Sequence, residues 1–104
     1  MEETYFTKAL GNSPVVRVLD FLIDGRGLDY SLTDIAENAN IGWTTLHRIW
    51  DNLVKSSIVM QTREIGNAKL FRLNLSNSAV KKLVAFYDAL LIQESNKIAI
   101  EVRH

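Results

Sequence analysis

Apolar side chains recur along this chain in two rhythms, and the change from one to the other divides it. Val15, Val18, Leu19, Leu22 and Ile23 fall on one face of a helix. Asn12-Ser13-Pro14 supplies its start, a capping side chain followed by a proline whose missing N–H costs nothing in a first turn. Gly25-Arg26-Gly27 ends the run, so the spacing predicts a helix over 14–24. Upstream, Phe6, Ala9 and Leu10 are spaced for a short helical turn that covers the core or a partner. Ser31-Leu32-Thr33-Asp34 has the spacing of a capping box, and Leu32, Ile35, Ala36 and Ala39 give the stripe of a second helix, 32–38. Asn38-Ala39-Asn40 reads as a turn, because asparagine tolerates left-handed backbone angles. Gly42 then opens a third helix, 43–55, with Leu46, Ile49 or Trp50, and Leu53 inward.

Past Lys55-Ser56-Ser57 the period drops to two. "IVMQTRE" and "AKLFRLN" are rich in strand formers and flank Gly66-Asn67, a two-residue hairpin turn with glycine first. Continued without interruption, that turn sets Glu64 opposite Lys69, Thr62 opposite Phe71, Met60 opposite Leu73 and Ile58 opposite Leu75 on one packed face. The other face then carries Gln61 opposite Arg72 and Arg63 opposite Leu70, and is basic. Ser76-Asn77-Ser78 caps a last helix, about 77–95. Its Val80, Leu83, Val84, Phe86, Tyr87, Leu90 and Leu91 span more of the circumference than one core stripe requires, so it must bury two faces. The tail "KIAIEVRH" alternates weakly, as a short strand or a frayed end would. No internal repeat, low-complexity run or linker interrupts this order.

Composition narrows the class. A chain of 104 residues makes one domain with its own core. The absence of cysteine removes disulfides and thiolate metal sites. His47 and His104 are the two histidines, too few for a metal site, and no cofactor is implied. The polar start "MEETYFTKAL" is no signal peptide, and no apolar run approaches the roughly 18 residues of a membrane span. A soluble cytoplasmic protein is the expectation. An enzyme is not: no Gly-rich phosphate loop, nucleophile–His–carboxylate grouping or dense acidic cluster occurs, and Asp20 and Asp24, one turn apart, are assigned to a solvent face. Twelve basic side chains balance twelve acidic ones, but unevenly. Residues 1–40 hold three basic against seven acidic, residues 41–82 seven against two, and residues 83–104 two against three. The middle block, which contains the third helix and the hairpin, is the cationic one.

Helices two and three, joined by the tight "ENANIGW" connection, have helix-turn-helix proportions. From "SPVVRVLDFLI" through "SLTDIAENANIGWTTLHRIWDNLVKSSIVMQTREIGNAKLFRLN", roughly residues 13–75, the chain resembles winged helix-turn-helix regulators of the MarR-like and ArsR-like type. "IGWTTLHRIWDNLVKSSIV" looks like their recognition helix and entry to the wing, although those families usually place glycine where Ser57 stands. The fold class expected is mostly α with a small β-hairpin, a winged helix-turn-helix with an added long C-terminal helix. Residues 1–76 would be the DNA-binding part and 77–104 a dimerisation helix and tail packed into the same domain.

The resemblance implies that helix 43–55 enters a DNA major groove and that the hairpin lies on the adjacent backbone or minor groove. Trp43, Thr44, Thr45, His47 and Arg48 sit near the helix start, where free N–H groups favour phosphate, and Lys55 at its end. Arg48 suits guanine and a threonine methyl suits thymine, while Arg63, Asn67, Lys69 and Arg72 suit the backbone. Some have a plainer reading. Trp43 more simply packs over the helix corner, His47 is a solvated helix residue, Trp50 is core, and Lys69 pairs with Glu64. The implied protein is a sequence-specific double-stranded DNA-binding transcription regulator acting as a homodimer through Leu83, Tyr87, Leu90 and Leu91. Zero net charge favours another reading, a winged-helix protein-interaction module of a larger complex. A plasmid or viral replication or partition factor would use the same residues. Nothing in the sequence names a small-molecule effector.

Overall fold

The computed structural model describes the backbone of residues 3–103 and the side chains of residues 3–98. Five helices and a small sheet follow in the order α1 (Tyr5–Leu10), α2 (Pro14–Asp24), β1 (Tyr30–Ser31), α3 (Leu32–Ala39), α4 (Trp43–Lys55), β2 (Val59–Ile65), β3 (Ala68–Leu73) and α5 (Ser78–Arg103). No helix among the described residues is long and apolar enough to cross a membrane.

Local chemistry sets the helix boundaries. Thr4 and Thr7 cap α1 reciprocally: each side-chain oxygen accepts from the other's backbone N–H, at 3.2 and 2.9 Å. Ser13 caps α2 ahead of Pro14, and the Ser31–Asp34 capping box starts α3. α3 stops where Asn40 turns left-handed, with φ of 54°, and Ile41 N–H returns to the Ala36 carbonyl at 3.0 Å. The same closure ends α4. Ser57 takes φ of 57° and donates to the Val54 carbonyl, while Ile58 donates to that of Leu53. Asn77 then joins two helix ends: its Oδ1 accepts from Ala79 N–H at 2.8 Å, capping α5, and its Nδ2 donates to the Ser57 carbonyl at 3.0 Å.

One core unites the elements. Val18, Leu22 and Ile23 of α2 meet Ile35 and Ala39 of α3, Leu46, Trp50 and Leu53 of α4, and Val59, Phe71 and Leu73 of the sheet. Trp50 and Phe71 pack edge to face at 5.2 Å. Phe6 brings α1 against Tyr87 of α5, ring centres 5.3 Å apart. Arg26, just past α2, grips Asp88 of α5 bidentately at 2.7 and 2.9 Å. Gly25 gives the Tyr30 side chain room, since a Cβ there would force the tyrosine ring to shift.

One expectation is extended and three are corrected. The hairpin is the larger part of a three-stranded antiparallel sheet, order β1-β3-β2, because Tyr30 and Ser31 pair with Phe71 and Leu70. Two residues are too few to show alternation in sequence. The expected hairpin register holds at the tip, where Glu64 faces Lys69 and Arg63 faces Leu70, and fails beyond Thr62. A bulge there places Gln61 opposite Phe71, Met60 opposite Arg72 and Val59 opposite Leu73. Val59 is consequently 2 % exposed and Met60 38 %, the reverse of the expected packing. Asp20 is buried at 2 % exposure instead of facing solvent, because α1 folds across it. Finally, α5 runs to Arg103, well past residue 95, so the tail is helical as far as Arg103; its weak alternation suggested a short strand or a frayed end, but no glycine or proline stops the helix.

Candidate nucleic-acid interface

The first two turns of α4 project a polar face. Leu46, Trp50 and Leu53 anchor the helix in the core, which turns Thr44, His47 and Arg48 to solvent and leaves Thr45 half-buried. Gly42 caps the helix without any side chain, so no side-chain oxygen closes off the first-turn N–H groups. Those donors and the positive end of the helix dipole therefore face outward beside the hydroxyls and Arg48. Trp43 is 51 % exposed and stands against the His47 ring, edge to face at 4.6 Å.

The hairpin brings a second group of these residues alongside. Gly66, at φ of 61°, and Asn67 make the turn. Asn67 and Lys69 share with Trp43 a cleft of about 490 Å³ between the hairpin and the starts of α3 and α4. Ser31, Leu32, Thr33, Ala68 and Phe71 complete its wall. Thr33 and Ser31 were not singled out in sequence, although the capping box did place both at a helix start. Lys69 is exposed, and although Glu64 stands opposite in the ladder the two form no ion pair among the described residues.

The remaining expected contacts are less uniform. Lys55 is exposed but lies twelve residues along α4 from Trp43, about 18 Å down the axis. Arg72 is half-buried, with its Nε enclosed and without a hydrogen-bond partner. Arg63 is exposed, yet its guanidinium is held by Asp29: Nε to Oδ2 at 2.9 Å and Nη2 to Oδ1 at 3.1 Å. Thr62 Oγ1 donates to the same carboxylate at 2.6 Å. The bulge explains how, because consecutive residues of a regular strand point to opposite faces. The guanidinium and the hydroxyl hold the Asp29 carboxyl down at about 2. This clamp joins residues more than thirty positions apart, and no local pattern announces it.

No protein-family model matches the chain, and no curated protein matches it in sequence. Solved structures do match. A homodimeric winged helix-turn-helix DNA-binding domain from Mycobacterium bovis, a possible ArsR-family transcriptional regulator, superposes with a TM-score of 0.59 at 22 % identity, over 89 % of this chain and 81 % of that one. The fold is a winged helix-turn-helix. A MarR-family transcriptional regulator from Silicibacter pomeroyi gives 0.59 at 23 % identity, over 89 % and 67 %. A possible transcriptional regulator from Methanosarcina mazei gives 0.55 at 9 % identity, over 95 % and 83 %. Within the winged helix, α3 and α4 are the helix-turn-helix and β2–β3 is the wing.

Along α5 the expected interface residues separate. Tyr87 is only 6 % exposed within its own chain, packed on Phe6. Leu83 and Leu90 are half-buried and Leu91 is exposed. Phe86, Ile92 and Ile98, also exposed on α5, extend the apolar surface.

Proposed function

We propose that the chain is a transcription regulator that binds double-stranded DNA sequence-specifically as a homodimer. α4 enters the major groove, and the wing lies on the backbone or minor groove. The observation that carries this is the uncovered polar face of α4, where Thr44, His47 and Arg48 stand beside free helix N–H groups while Leu46, Trp50 and Leu53 anchor the opposite face in the core. Arg48 is assigned to base reading, Thr44 and Thr45 to base or phosphate contact, and Asn67, Lys69 and Arg72 to the backbone. Residues up to 76 form the DNA-binding part, and α5 with its tail the dimerisation arm. The Mycobacterium bovis domain is described as homodimeric and DNA-binding, which supports both parts of the reading.

Zero net charge and the internally paired Arg63 favour a second reading, a winged-helix module that docks on another protein. Anisotropy of a labelled random-sequence duplex at two salt concentrations separates the two, since phosphate contacts release counterions and protein docking does not. The DNA reading expects binding that falls steeply with salt. Arg48→Ala should then lose about 1–3 kcal/mol of preference for a selected site with an unchanged melting temperature. Unaltered site preference would remove Arg48 from base reading.

A further inference from the structure

Arg63 is one of the wing cations that the sequence suits to a phosphate, and its guanidinium is already engaged by an oxyanion. The two bonds to Asp29 use the bidentate geometry with which arginine takes a phosphate. Asp29, in the loop before β1, has a side chain only 19 % exposed, against 61 % for Arg63. The carboxylate is the more enclosed partner and is bonded by Thr62 as well, and the arginine is the accessible one. A carboxyl held near 2 stays ionised throughout the neutral range.

We propose that Asp29 is an internal competitor for DNA phosphate that keeps Arg63 out of non-specific DNA binding. The inference rests on the DNA-binding reading of α4 and the wing. Non-specific affinity comes from cations that release counterions from phosphates. A guanidinium already neutralised by a neighbouring carboxylate contributes little to that release. Transferring Arg63 to a phosphate strands Asp29 as an unpaired anion beside the polyanion, so the exchange is unfavourable unless base contacts from α4 offset it. The wing tip itself adds Glu64, Ile65, Gly66 and Asn67, none of them cationic. The wing's grip on random sequence is therefore set by Lys69, by Arg72 and by the hold of Asp29 on Arg63.

The test is a double-mutant cycle read by anisotropy of a labelled random duplex across a salt series. It compares the full chain, Asp29→Asn, Arg63→Ala and the double variant, with Asp24→Asn as an equal charge change on α2. Asp29→Asn is expected to tighten binding about 3- to 10-fold at low salt and to steepen the log–log salt slope by about 0.9 per protomer. In the Arg63→Ala background the same substitution should leave the slope unchanged and tighten binding clearly less, by no more than the loss of one unpaired anion gives. Asp29→Ala, which leaves no amide to re-form the bonds, should act in the same direction as Asp29→Asn. Thermal melts establish that each variant folds.

An equal gain with and without Arg63, or one matched by Asp24→Asn, would reduce the effect to bulk charge and overturn the proposal. Weaker binding by Asp29→Asn would overturn it too, assigning the clamp to holding the wing in place for contact. Absence of duplex binding in every variant would instead refute the underlying DNA reading.

Discussion

Asp20 lies in a helix whose apolar spacing gives no sign of covering it, yet α1 closes over its carboxylate. Thr4 Oγ1 donates to Oδ1 at 3.1 Å, and the Tyr87 phenol lies beside it. Burial pushes the Asp20 carboxyl above its ordinary value, with the nearby Asp24 charge adding to the rise and the Thr4 and Tyr87 hydroxyls opposing it. Burial and the Asp20 charge in turn push the Tyr87 phenol up to about 12. A raised folded-state value means that the folded chain holds the proton more tightly than the unfolded chain. The resulting stability is complete below the unfolded value and is lost as pH rises through the folded one. Asp20→Asn removes that loss, so its melting temperature relative to the parent should increase as pH is raised from about 3.5 to 7. A gap independent of pH would show that the carboxyl does not titrate differently on folding. The residues that do follow from the sequence are those with neighbours on their own helix: Leu46, Trp50 and Leu53 are buried at the expected spacing. Asp20 was illegible because its cover comes from a segment sixteen residues away.

Boundaries written in caps and turns were readable at the scale of elements, and register was not. α2 and α4 begin and end where proline, glycine and the Ser56-Ser57 step place them. The wing pairs as expected only as far as local turn geometry controls it. Beyond that, a bulge shifts the ladder and turns Thr62 and Arg63 to one side, where both bond Asp29. The exit from α4 stores a related conflict. Ser57 occupies a left-handed conformation that glycine enters without steric cost, and Asn74 and Asn77 hold its carbonyl from outside at 2.9 and 3.0 Å. Relief of that strain, less the greater chain entropy of glycine, leaves Ser57→Gly about 0.5 kcal/mol more stable, a rise of roughly 2–4 °C in Tm. A lower Tm would mean that the serine side chain contributes more than its backbone costs.

The whole molecule measures 55 × 28 × 22 Å, elongated by the 26 residues of α5. Val80 and Tyr87 of this helix are buried, and the same helical face continues through Leu91 to Ile98, which are exposed. A stripe that is core at one end and uncovered at the other fits the proposed reading, in which α5 packs on its own domain and then on a second copy. Leu91→Glu should therefore give monomers in light scattering with little change in fold. A persistent dimer would move the contact off this face. The charge arrangement belongs to this scale as well. Neutral in sum, the chain gathers its cations in α4, the wing and the start of α5, and part of that charge is spent internally on Asp29. A ¹H–¹⁵N NMR titration of the chain with a random-sequence duplex at low salt locates the surface that meets DNA. The largest shifts are expected at the amides of Trp43–Arg48 and Asn67–Lys69, with residues 90–98 of α5 unmoved. Shifts confined to α5, or a spectrum unchanged along α4, would contradict the assignment of α4 as the DNA-reading helix.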